Sequence, residues 1–114
     1  MSDNGIKPEI WGPTFWQTIH TVAATYPTKP SEIDKKQYFN YMLALGNVLP
    51  CGTCRDHFRK TLVDMDFSLN TLRNQESFFR FVFDLHNVVN KRLGKPVLRD
   101  YTKVRKLYET YKSI

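Results

Sequence analysis

Apolar residues recur every three or four positions along most of the chain, and no stretch of any length alternates apolar with polar positions. That periodicity predicts an all-α protein. Phe15, Trp16, Ile19, Val22, Ala23 and Tyr26 form one face of a first helix, from about Pro13 to Tyr26. Pro13 suits a first helical turn, where its missing N–H costs nothing, and Pro27 and Pro30 close the segment. A second helix starts near Ser31, an N-cap residue with Asp34 three positions on. It turns Tyr38, Met42, Leu45 and Leu49 inward and stops at Pro50. A third opens at Cys51 and Cys54 and continues through Phe58 and Leu62, and Asn70 to Gln75 reads as a loop. The fourth runs from about Glu76 to Leu93 on a stripe of Phe78, Val82, Leu85, Val89 and Leu93, with Gly94 as its stop and Pro96 beyond. A short fifth helix follows Asp100, with Val104, Leu107, Tyr108 and Tyr111 on one side. The set predicts a compact bundle of four helices with a short fifth.

Composition narrows the picture. The 114 residues suit one domain, expected over 1–114 with an ordered core from about 11 to 111. Large rings can build a core or wall a flat ligand, and the two Trp, six Tyr and eight Phe are many for this length. No run is apolar enough to span a bilayer, and the polar stretch Met1 to Glu9 lacks a signal-peptide core, so the expected location is cytoplasmic. The formal charge of +6 resides between Lys91 and Lys112, where eight Lys or Arg face only Asp100 and Glu109. Such a basic end fits nucleic acid, acidic lipid or the phosphates of a cofactor.

Three groups of residues carry chemistry. Cys51-Gly52-Thr53-Cys54 holds the only two cysteines and opens a helix, whose unpaired N–H groups and partial positive charge favour a thiolate. This spacing suits a redox pair, half of a zinc site, or two core cysteines. Cys51, Cys54, His57 and His86 would make a tetrahedral zinc set, although the usual paired-His spacing is missing, and a thioredoxin-like context would need strands. The second group is His86-Asn87-Val88-Val89-Asn90-Lys91, where His86 and Asn90 share one helix face and Asn87 and Lys91 the next. The third runs from Trp11 to His20, with Trp16 and His20 one turn apart and Gly12 allowing close approach to the backbone.

Taken in order, Trp16-x3-His20 with Tyr26-Pro27, Cys51-x2-Cys54, and His86-Asn87-x-Val89-Asn90-x2-Leu93-x-Lys95 resemble the Erv/ALR family of FAD-linked sulfhydryl oxidases. The resemblance spans about Trp11 to Tyr108. It implies a four-helix bundle plus a short fifth helix, usually a homodimer, with FAD at the bundle mouth. Cys51 would be the outer sulfur attacked by substrate thiolate, and Cys54 the inner one beside the flavin. Gly12, Trp16, His20 and Tyr26 would meet the cofactor from the first helix. His86, Asn87, Val89 and Asn90 would hold its flavin and adenosine regions, Lys91 and Lys95 its pyrophosphate, and Tyr108 its adenine. Substrate thiols would be oxidised with dioxygen as acceptor, with no metal, nucleic-acid or membrane partner.

Pro13 stands where the family often carries Arg, and Tyr108 where cellular members commonly carry Trp. The shuttle cysteine pair and C-terminal structural cysteines of cellular members are missing from these 114 residues. In this the chain is similar to the short members of large nucleocytoplasmic DNA viruses. That likeness implies a dedicated dithiol redox partner and a location in infected-host cytoplasm or virion.

Overall fold

The structure, a computed structural model, describes residues 5–112. The expected domain span of 1–114 and the opening of the Met1–Glu9 stretch reach beyond these residues. Five α-helices follow one another: α1 (Pro8–Ala24), α2 (Glu32–Asn47), α3 (Gly52–Asp64), α4 (Gln75–Arg92) and α5 (Tyr101–Thr110). A single 3₁₀ turn, Leu69–Leu72, precedes α4, and the described residues contain no strand. The all-α expectation holds.

Helix ends follow local chemistry. Ser31 and Asp34 form a reciprocal capping box at α2, with Asp34 N–H donating to Ser31 Oγ at 3.0 Å and Ser31 N–H to Asp34 Oδ2 at 2.9 Å. Asn74 caps α4 and Asp100 caps α5 one-sidedly, each side chain accepting from a backbone N–H. Gly94 ends α4 with a φ of 71°, the left-handed conformation that glycine adopts without a Cβ clash.

The first helix departs from expectation. It starts at Pro8, five residues early, and runs through Pro13 to Ala24. Pro8 takes the first-turn position expected of Pro13. The residue before a proline is normally pushed out of the helical region by its own Cβ, and here that residue is Gly12, which has none. Trp11 Nε1 also anchors the early turn by donating to the Ile6 carbonyl at 2.7 Å.

Packing then sets the frame. α1 lies chiefly on α4, and α2 on α3, while α5 covers the edge between α1 and α4. Ile19, Met42, Phe78, Phe79, Val82 and Leu85 are fully buried between them. Gly46 brings α2 close to α3, since a Cβ there would stand 2.5 Å from the Phe58 ring. The segment expected to be a plain loop is pinned instead: Leu72 is buried, and its carbonyl accepts from the Tyr26 hydroxyl at 2.7 Å.

Candidate functional site

Four elements converge on one cavity of about 570 Å³, within the range of cofactor sites. From α1 come Gly12, Trp16 and His20, which share a face because each is one turn beyond the last. From α4 come His86, Val89 and Asn90, and beyond its end Lys95 and Leu98. Cys54, His57 and Phe58 of α3 close one side, and Leu107, Tyr108 and Tyr111 of α5 close another.

At the α3 end stands a disulfide, Cys51–Cys54, with Cα atoms 5.1 Å apart. Cys51 is the N-cap of α3, in extended backbone, and its sulfur accepts from Cys54 N–H at 3.2 Å. Arg55 fixes the turn by donating to the Leu49 carbonyl at 2.6 Å, and Ile6 N–H donates to the Pro50 carbonyl at 2.7 Å. Both sulfurs therefore sit at the positive end of a helix, where a thiolate is favoured once the bond is reduced. Cys54 lines the cavity; Cys51 lies off its wall and is partly exposed.

The rings opposite are stacked. Trp16 lies on His86 with centroids 4.1 Å apart and planes 6° from parallel. Tyr108 stacks on His20 at 5.5 Å. His20 Nε2 and His86 Nδ1 share a hydrogen bond of 2.9 Å. Burial, then the neighbouring His86, pushes His20 down to about 4; burial, then Lys95, does the same for His86. Both are neutral at pH 7, so one ring donates and the other accepts. Either arrangement leaves His20 Nδ1 buried without a partner.

Eight of the expected cofactor contacts thus share the cavity with Cys54: Gly12, Trp16, His20, His86, Val89, Asn90, Lys95 and Tyr108. Three others are placed elsewhere. Tyr26 is wholly buried in the core, its hydroxyl spent on Leu72. Asn87 clamps Leu98 with both ends of its amide, donating to the carbonyl at 2.9 Å and accepting from the N–H at 2.7 Å. Lys91 is exposed and lies off the cavity wall. The zinc set does not assemble either: among the described residues no three His, Cys, Asp or Glu side chains are placed to hold a metal.

Several wall residues escaped the sequence reading as site residues. Phe15 and Phe58 pack edge to face at 6.0 Å beside Cys54. Arg92 of α4 reaches α3 and donates to Thr61 Oγ1. Leu93, Leu107 and Tyr111 are about half exposed although their helical stripes point inward, because the space they face is the cavity.

A fold of this kind, with a disulfide at a helix start facing a ring-lined cavity, defines a helical redox protein. The chain belongs to the Erv1 / Alr family, whose sequence pattern matches residues 13–111. It is 38% identical over 97 residues to a protein of invertebrate iridescent virus 6 named for FAD-linked sulfhydryl oxidase, covering 82% of this chain and 87% of that one. Identity to the FAD-linked sulfhydryl oxidase of African swine fever virus is 34% over 99 residues, covering 87% and 80%. Among solved structures, the FAD binding domain of Erv1 from Saccharomyces cerevisiae superposes with a TM-score of 0.82 at 27% identity, covering 92% of this chain and 96% of that one.

Proposed function

We propose that the chain is a thiol oxidase that binds FAD in this cavity and makes disulfides through Cys51 and Cys54. One observation carries the reading: a disulfide sulfur, Cys54, shares a cavity wall with the stacked rings of Trp16 and His86. The residues present fit the cofactor. Flat rings suit flavin and adenine, and among the described residues the wall offers Arg92 and Lys95 but no Asp or Glu, which suits a pyrophosphate. The orphaned His20 Nδ1 would gain a partner. At Gly12 a Cβ would meet nothing within 4 Å, so the position opens onto free space.

FAD, when bound, supplies two-electron acceptance and delivery to dioxygen. The chain's residues do the rest. A substrate thiolate attacks the partly exposed Cys51, which lies off the cavity wall, and Cys54 departs as thiolate, held by the α3 end. The second substrate thiol then displaces Cys51, releasing substrate disulfide. Trp16, His20, His86, Val89, Asn90 and Tyr108 would hold and orient the rings, Gly12 would leave room, and Lys95 would meet the phosphates. Phe15 and Phe58 would form an apolar wall beside the inner sulfur.

Dioxygen as acceptor and a dithiol partner protein belong to this reading. Within these residues Cys51 and Cys54 are the only sulfur pair, so a substrate must reach a helix start beside a walled cavity. Dithiothreitol should do so, whereas the cysteines of a folded protein mostly should not unless they sit on a flexible segment, which favours a partner with its own exposed cysteine pair. A homodimer is proposed on the outer side of α1 and α2, where Val22, Tyr38 and Tyr41 line a shallow apolar cleft apart from the cavity.

The purified chain should be yellow and consume oxygen when dithiothreitol is added. Cys51→Ser should keep its flavin and show a long-wavelength charge-transfer band from the Cys54 thiolate. Appearance of that band in Cys54→Ser instead would reverse the inner and outer sulfurs.

A further inference from the structure

All three histidines of the chain line the cavity, and no described aspartate or glutamate does. Two of them are committed to one another: His20 and His86 share their hydrogen bond, and both are buried enough to stay neutral. His57 differs. It is exposed, and no hydrogen bond reaches its imidazole among the described residues. It follows Cys54 by three residues on α3, on the cavity side. Residues three apart on a helix have Cβ atoms about 5–6 Å from each other. Helical side chains lean toward the N-terminus, a direction that favours approach of this imidazole to the turn carrying Cys54.

The charged neighbours leave His57 without a competitor. α4 presents His86, held to His20, and Arg92, tied to Thr61, and Lys95 follows it; Arg92 and Lys95 are cations with no proton-accepting role. α1 presents His20 and α5 presents the Tyr108 and Tyr111 phenols, while α2 places no titratable group on the wall. On α3 itself, Asp56 is spent on Arg59, and Lys60 on Asp64.

We propose that His57 is the proton acceptor of the thiol–disulfide step, a catalytic role that rests on the reading of Cys54 as inner sulfur. The balance closes. Two substrate S–H groups become one S–S bond, losing two electrons and two protons. The Cys51–Cys54 bond breaks and takes both electrons. One proton ends on Cys51 as thiol, the other on His57. The imidazolium so formed then holds Cys54 as thiolate.

The test is made in flavin-loaded protein carrying Cys51→Ser, with and without His57→Gln. The charge-transfer band and the rate of Cys54 alkylation by iodoacetamide are followed against pH. Removing an adjacent imidazolium should raise the midpoint by about one pH unit, a roughly tenfold loss of thiolate below it. In protein with both cysteines, His57→Ala should slow reduction by dithiothreitol about tenfold. Free imidazole should restore much of that rate, a response that a purely structural role would not give. Since His57 is exposed, melting temperatures should not change. An unchanged midpoint in His57→Gln, or no imidazole rescue, overturns the inference while the thiol oxidase reading stands. Absence of the band in the Cys51→Ser parent with flavin bound overturns the Cys54 assignment, and this inference with it.

Discussion

Two neutral imidazoles in contact can place one proton between their facing nitrogens, and a second proton there forces them apart. His20 and His86 are in that position, each pushed down to about 4 chiefly by burial. Between the ordinary value of 6.5 and about 4, the unfolded chain binds protons that the folded chain refuses, so stability falls as pH is lowered through this window and is unaffected by the pair above it. A melting series should show the wild type losing stability from pH 6.5 to 4.5, with a shallower slope in His20→Gln; equal slopes would contradict the pair's role. Tyr26 supports a second prediction. Removing its hydroxyl strands the Leu72 carbonyl in the core, so Tyr26→Phe should cost about 1–3 kcal/mol in denaturant melts while flavin content stays unchanged. The family resemblance placed Tyr26 against the cofactor, and nothing local could show otherwise, because its partner lies 46 residues away. Trp16, His20, His86 and Asn90 were legible for the opposite reason: helical spacing alone puts each pair on one face.

At the scale of elements, caps and stripes located α2, α3, α4 and α5 to within a few residues, since each carries its own start or stop signal. α1 was misplaced because a proline after glycine can continue a helix, and the sequence contains two prolines, Pro8 and Pro13, able to open it. What no periodicity reveals is how α5 is fastened. Asn87 clamps Leu98, the Tyr101 hydroxyl donates to Glu76, and Arg105 donates to Gln75 Oε1 at 2.9 Å while covering the Phe79 ring. These are polar pins between segments distant in sequence. Asn87→Ala should therefore loosen α5, although Asn87 itself lies off the cavity wall. Hydrogen exchange from Leu98 to Thr110 should speed up, stability should fall by about 1–3 kcal/mol, and flavin should bind more weakly through the displaced Tyr108. Unchanged exchange in that segment would show that the clamp is dispensable.

Across the whole molecule, a ligand that binds only the folded chain stabilises it by mass action, by about 4 kcal/mol at a thousandfold excess over its dissociation constant. Flavin removal should lower the melting temperature, and Asn90→Ala should lose flavin and heat stability together; an unchanged flavin content would remove Asn90 from the proposed site. The four longer helices bury the core, whereas α5 buries no residue fully and leans on the cavity with Leu107, Tyr108 and Tyr111. One wall of the site is thus a helix held by polar pins rather than by buried side chains. Opening of α5 should then set the residence time of the cofactor. Tightening α5 against α4 should lengthen that time and also slow the loading of the empty protein.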